Sequence, residues 1–170
     1  ELRLEIGDID VARVATEVAE TLGPQVEARG QALDIRIDGS TPSIEADGKR
    51  IRQIIFNLLQ NARVHTPGGT TIEVSVCGTG TEVLVEVKDD GEGLPFENPE
   101  DAFGSFRSGL ATGGDPMTGS GIGLTISRQL AELHRGTLEV ESEAGVGTKF
   151  TLLLPVERAA ARKLVLPEAN

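Results

Sequence analysis

Asn57 and Asn61 lie four residues apart in the stretch Asn57-Leu58-Leu59-Gln60-Asn61-Ala62, one turn apart on one helical face. Their side-chain oxygens are neutral hard ligands, of the kind Mg²⁺ accepts beside waters and phosphate oxygens. Further along, Val83, Val85, Val87 and Asp89 share one face of a strand, so Asp89 ends a valine row and points inward while Asp90 points away. A carboxylate at the mouth of an apolar pocket needs a donor, and the exocyclic amine of adenine supplies one. Guanine presents an oxygen there and leaves the acid unpaired, at a cost of about 1–3 kcal/mol. Gly91 and Gly93 let the backbone approach a base closely. Finally, Gly119-Ser120-Gly121-Ile122-Gly123-Leu124 opens a helix with three glycines. Free N–H groups and the positive dipole end suit phosphates there. Each segment alone has an ordinary reading: surface amides, a hairpin turn, a hinge. In this order they describe one site for ATP and Mg²⁺.

Two other phosphate-binding patterns fail. No Gly-x-x-x-x-Gly-Lys-Ser/Thr string occurs, and the Gly119-x-Gly121-x-Gly123 spacing is not the dinucleotide fingerprint.

The elements that must position these residues are set by periodicity. Residues 1–10 read as an entry strand or linker, with Asp8 or Asp10 able to cap the helix after it. Val11, Val14, Ala15, Val18, Leu22 and Val26 predict that this helix is amphipathic and ends near Gly30. Leu33, Ile35 and Ile37 alternate with charged residues, which predicts a strand with one face buried, and Ser43 to Ala46 reads as its short antiparallel partner. Asp47 caps a second helix with Ile51, Ile54, Ile55, Leu58, Leu59 and Ala62 as its core stripe, stopped by Pro67-Gly68-Gly69. Strands are predicted over Thr71–Val76 and Thr81–Asp89, a third helix from near Gly121 to about His134, and two closing strands over Thr137–Ser142 and Thr148–Leu154. The fold class is α+β: a mostly antiparallel or mixed sheet with helices on one face. The segment from Phe96 to Thr118 has no clear period and includes Gly104, Gly109, Gly113, Gly114 and Pro116, which in a compact domain reads as a lid.

Composition sets the outer limits. At 170 residues the chain fits one domain with a real core. A formal net charge of −11 argues against a nucleic-acid partner and requires any polyphosphate to be held by local devices. The single Cys77 cannot form an internal disulfide, which suits a reducing cytoplasm, and it reads as a small buried strand residue. No apolar run approaches the ~20 residues that cross a bilayer. Starting at Glu1, the chain reads as a cytoplasmic piece of a longer parent, which could itself be anchored in the inner membrane.

With these motifs in place, the chain resembles the catalytic, ATP-binding domain of bacterial sensor histidine kinases, within the superfamily that includes gyrase, the Hsp90 chaperones and MutL. The resemblance spans roughly residues 1–155. It covers the asparagine box (Asn57 to Ala62), a first glycine box (Asp89 to Gly93), a phenylalanine box (Phe103-Gly104-Ser105-Phe106), the second glycine box (Gly119 to Leu124) and the closing Gly145-Val146-Gly147-Thr148. It implies a two-layer α/β sandwich, the Bergerat ATP-binding fold, with about five strands in a mixed sheet and three helices on one face. On this pattern residues 1–10 link to a missing dimerisation domain, residues 11–155 form the ATP-binding domain with a lid at about 96–118, and residues 156–170 are a tail. The resemblance implies Asn61 as the Mg²⁺ ligand and Asp89 as the adenine reader. It also implies Phe103 and Phe106 as lid anchors, Arg107 beside the phosphates, and Thr148 at the adenine end. Within the boxes, the resemblance implies that Gly91, Gly93, Gly119, Gly121, Ile122, Gly123 and Leu124 surround the nucleotide. The family often has Lys then Tyr where this chain has Val64 and His65. Arg63, Arg107 and Lys49 are the candidates for the missing cation. His65 either stacks on or bonds the nucleotide, or is an exposed helix-end residue.

The reaction implied is transfer of the ATP γ-phosphate to a His on a separate dimerisation domain, then to a response regulator. Neither His65 nor His134 sits in the His-Glu/Asp-x-x-Thr/Asn-Pro setting of an acceptor. Two alternatives are an ATP hydrolase and a nucleotide-sensing module without catalysis. Hydrolases of the superfamily carry a Glu general base one turn before the metal-binding Asn. Here that place is Asn57, which cannot take a proton from water.

Overall fold

The computed structural model describes residues 3–104 and 122–157. In chain order these form β1 (Gly7–Ile9), α1 (Val11–Ala28), β2 (Ala32–Asp38), β3 (Ile44–Ala46), α2 (Gly48–His65), β4 (Thr71–Gly78) and β5 (Glu82–Asp89). A 3-10 helix (Pro99–Phe103), α3 (Ile122–Leu133), β6 (Thr137–Glu143) and β7 (Gly147–Pro155) complete the order. Five strands make one mixed sheet in the order β2-β4-β5-β7-β6. Only the β2–β4 pair is parallel; the other three are antiparallel. The three helices pack on one face, giving the expected two-layer α+β architecture.

The valine alternation explains the layering. Val83, Val85 and Val87 of β5 are buried beside Val74 and Val76 of β4 and Leu152 and Leu154 of β7. Against them lie Val11, Val14, Ala15, Val18, Leu22 and Val26 of α1 and the predicted stripe of α2, all buried. Both helices start on a capping aspartate. Asp10 accepts from Arg13 N, and Asp47 accepts from Lys49 N and Arg50 N.

Some expectations need correction. The strand Ile44–Ala46 pairs with β1, not with the Leu33–Ile37 strand, and the two form a separate ribbon. The apolar side of β2 is only partly covered: Leu33 packs against the core, but Ile35 is 38% and Ile37 40% exposed, although both sit on the helix side beside Val74 and Val76. β2 is an edge strand: its start lies beside α1, and beyond Leu33 the strand opens to solvent. Cys77 is half-buried. The described part of the predicted lid contains a 3-10 helix rather than irregular chain. No helix among the described residues is long and apolar enough to cross a membrane.

Candidate functional site

Sheet register builds the floor of the site. Asp89 lies opposite Thr148, and Thr148 opposite Ser142, so one row crosses β5, β7 and β6 on the helix side. This row continues the apolar core to the sheet margin, where the polar side chains begin. The C-terminal end of α2 forms the facing wall. One pocket is lined by Asn61, Ala62, His65, Thr66, Asp89, Glu92, Gly93, Leu94 and Thr148. Three segments far apart in sequence therefore meet around one concavity.

Asp89 is only 8% exposed. Burial pushes its carboxyl above the ordinary carboxylate value, and the backbone N–H groups of Gly91 and Thr148 partly offset this. The negative charge of neighbouring Asp90 adds a small push in the same upward direction. Oδ1 accepts from Gly91 N at 3.0 Å. Asp90 is exposed and accepts from Thr71 N, as the strand period requires. The glycines here are demanded by close approach. A Cβ at Gly147, whose φ is +140°, would stand 2.0 Å from the carbonyl oxygen of Asp89, so only glycine lets β7 begin against β5. A Cβ at Gly91 would meet Thr66 Cγ2 at 2.8 Å.

The loop after Asp89 is held from behind by the β6–β7 hairpin. Ser142 Oγ accepts from Leu94 N at 2.8 Å and shares a 3.0 Å bond with Thr148 Oγ1, while Gly145 N donates to Glu92 O at 3.0 Å. Ser142, Thr66 and Leu94 are site residues that the motifs did not reveal. The only signal for Ser142 was its register opposite Thr148, and register is not readable before the strands are paired.

The two asparagines divide. Asn61 lines the pocket, and its side chain makes no hydrogen bond among the described residues. Asn57 lies outside the pocket lining, and its Nδ2 donates to Gly123 O at 3.3 Å and to Ser127 Oγ at 3.1 Å. It fastens α2 to the start of α3, where Gly123 brings the two helices within side-chain contact of Asn57. Ile122 and Leu124 open that helix; Leu124 is buried in the core and Ile122 is exposed. His65 is exposed at the pocket rim.

Phe103 is buried rather than displayed. Its ring meets Phe150 edge-on at 6.0 Å and carries the Arg128 guanidinium 3.5 Å above its centre. Thr125 Oγ1 donates to Phe103 O, and Arg128 also reaches Glu100 and the carbonyl of Leu138. This staple ties the 3-10 helix to α3 and β6. Phe106, Arg107, Gly119 and Gly121 lie outside the described residues. Of the cation candidates, Lys49 pairs with Glu5 at the far end of α2, about 18 Å along the helix from Asn61. Arg63 bonds Gln60. Neither stands in the pocket lining.

His134 is 5% exposed with both ring nitrogens engaged. Nε2 accepts from Asp47 N at 3.1 Å, which leaves Nδ1 to donate to Leu130 O at 2.7 Å.

Comparison with known proteins agrees with this geometry. The family model described as "Histidine kinase-, DNA gyrase B-, and HSP90-like ATPase" matches residues 46–158. The chain is similar to the alginate biosynthesis sensor protein KinB of Pseudomonas aeruginosa, 32% identical over 154 residues that make up 91% of this chain and 25% of KinB. It is also similar to the adaptive-response sensory kinase SasA of Synechococcus sp. (strain JA-3-3Ab), 34% identical over 163 residues, 95% of this chain and 43% of SasA. The chain thus spans less than half the length of these curated relatives. Among solved structures, full-length ShkA in complex with AMPPNP superposes with a TM-score of 0.77 at 26% identity, covering 91% of this chain and 32% of that one. The catalytic domain of histidine kinase ThkA gives 0.76 at 25% identity, covering 91% and 99%. A family match over most of the chain, on a sheet and helix layer of the same shape, is decisive: the chain belongs to the histidine kinase-, DNA gyrase B- and HSP90-like ATPase family.

Proposed function

We propose that this domain binds ATP in the Asp89 pocket and presents its γ-phosphate to a His on a separate dimerisation domain of the same parent, from which it passes to a response regulator. The observation that carries the reading is the buried Asp89 carboxylate at the end of a pocket that also contains Asn61 and Thr148. A carboxylate so placed, with only two backbone donors to offset its burial, is short of a partner that an adenine amine supplies. Asn61 is the Mg²⁺ ligand in this reading, and Thr148 supports the adenine end. Gly91 and Gly93 admit the base, His65 edges it, and the α3 start at Ile122, Gly123 and Leu124 faces the phosphates. Phe103 anchors the root of the lid. Arg107, Phe106, Gly119 and Gly121 belong to the same set on family resemblance.

The donor set suits Mg²⁺. No group of three or more His, Cys, Asp or Glu side chains capable of holding a metal occurs among the described residues. A neutral, uncommitted amide such as Asn61 suits a cation that keeps waters and takes most of its oxygens from phosphates. When bound, Mg²⁺ neutralises charge on the transferred group. The chain's own contribution is orientation, through a base fixed by Asp89 and a helix start fixed by Asn57. Asn57 also favours phosphotransfer over hydrolysis. It carries no carboxylate to deprotonate water, and its amide is committed to Gly123 and Ser127.

The test is a calorimetric titration with ATP, ADP and GTP, with and without Mg²⁺. ATP and ADP are expected to bind, Mg²⁺ to strengthen ATP, and GTP to bind about five- to 150-fold more weakly, as an unpaired buried acceptor costing about 1–3 kcal/mol requires. Equal affinity for GTP and ATP removes Asp89 as the base reader.

A further inference from the structure

Thr66 forms the pocket wall next to Asp89, and its side chain is turned in a definite sense. The hydroxyl donates its single hydrogen to Ala62 O at 2.7 Å and accepts from Gln31 Nε2 at 2.8 Å. The methyl faces the Asp89 side: a Cβ built at Gly91 would stand 2.8 Å from Thr66 Cγ2 and 3.0 Å from Asp89 Oδ1. Methyl and carboxylate oxygen crowd the same point.

Gln31 reinforces this orientation from outside the pocket, as a second partner of a hydroxyl already bonded to Ala62 O. It lies between α1 and β2 and is 4% exposed. Its Nε2 has two hydrogens for three acceptors, the Thr66 hydroxyl, Arg63 O at 3.0 Å and Thr66 O at 2.9 Å, so one hydrogen is shared between two of them. Two carbonyls fix which end of the amide points at α2, since the reversed amide would set oxygen against oxygen. Gln31 Oε1 is buried without a partner among the described residues, so nothing on its other side competes for the orientation. Arg29 Nη2 adds a donor to Thr66 O at 3.3 Å, which steadies the backbone without touching the hydroxyl.

We propose that Gln31 is a specificity-determining positioning residue: it holds the Thr66 hydroxyl away from the pocket and so denies the base end a hydrogen-bond donor. A 6-amino purine donates to Asp89 and needs nothing more. A 6-oxo purine sets its oxygen against the carboxylate and needs a donor, which an inward-turned Thr66 hydroxyl supplies. This inference rests on the reading of the pocket as the adenine site.

The experiment measures ATP and inosine triphosphate affinities, with Mg²⁺, for the parent, Gln31→Met, Thr66→Val and the double variant, each at a temperature where its circular dichroism matches the parent's. The parent is expected to prefer ATP. Gln31→Met is expected to reduce the ATP-to-inosine-triphosphate affinity ratio roughly three- to tenfold, the reach of one hydrogen bond. Thr66→Val is expected to keep the parental ratio, and in the Gln31→Met background to restore it, because valine has no hydroxyl to turn inward. A purely structural role for Gln31 moves both affinities or the melting temperature and leaves the ratio alone, and that result overturns the inference while the adenine reading stands. A ratio lost in Thr66→Val alone overturns it too, and does so even if Gln31→Met does not fold. A parent that binds both nucleotides equally removes the adenine reading itself, and this inference with it.

Discussion

Asp89, the proposed base reader, sits where its own burial works against the fold. Its folded pKa is raised by burial, so the native state holds the proton more tightly than the unfolded chain does. Stability therefore falls as pH rises from the unfolded carboxylate value through the raised one, and the full cost is present above both. Asp89→Asn keeps an oxygen for the N–H groups of Gly91 and Thr148 and removes the buried charge. The ligand-free variant is expected to melt higher than the parent at pH 7 and to lose this advantage in acid, as read by calorimetric melts at several pH values. Its ATP affinity is expected to fall about tenfold or more, because an amide presents a donor where the adenine amine needs an acceptor. Undiminished ATP binding by this variant removes Asp89 from the site. Asn61→Ala makes the complementary case. The side chain bonds nothing among the described residues, so the melting temperature is expected to hold while the Mg²⁺-dependent gain in ATP affinity disappears. Undiminished Mg²⁺-dependent affinity in titration rejects the metal role.

At the scale of elements, the site depends on how strand and helix ends are finished. β7 can start beside Asp89 only because residue 147 lacks a Cβ. Gly147→Ala is expected to cost at least about 1–3 kcal/mol in chemical denaturation and to weaken nucleotide binding with it, since the displaced strand carries Thr148. A variant as stable as the parent would falsify the close approach. α3 ends differently. Arg135 holds a left-handed φ of 60°, a conformation that costs a non-glycine residue about 1–2 kcal/mol. Arg135→Gly is expected to gain up to about 1 kcal/mol, measured by denaturant titration; a loss instead means that the contacts of the Arg135 side chain outweigh the backbone strain. Much of this level was legible in the sequence. The valine row of β5, the Asp47 cap and the stripe of α2 come from period and capping chemistry alone. The segments of β1 and β3 both allow a strand, but their pairing was not legible, because a three-residue strand has too few positions to fix its partner.

For the whole molecule, the proposed function sets the expected behaviour. His134 is sealed between Asp47 and Leu130, and His65 lies at the pocket rim outside any acceptor pattern. The chain alone is therefore expected to bind ATP without forming phosphohistidine. Incubation with labelled ATP is expected to give phosphohistidine only after a separate dimerisation domain carrying the acceptor is added; label on the chain alone contradicts this. The sequence by itself determined the fold class, the acid that faces inward, the glycines beside it and the absence of a general base at position 57. Those are local properties, set by period, backbone sterics and side-chain chemistry. Only the tertiary structure decided that Asn57 turns to α3 while Asn61 lines the pocket, that Lys49 is an α2 length away, that Thr66 forms part of the pocket wall, and that Ser142 and Gln31 stand behind it. Which of two residues on one helical face meets a ligand depends on what the next helix covers. That is fixed by packing between segments tens of residues apart, which no local pattern encodes.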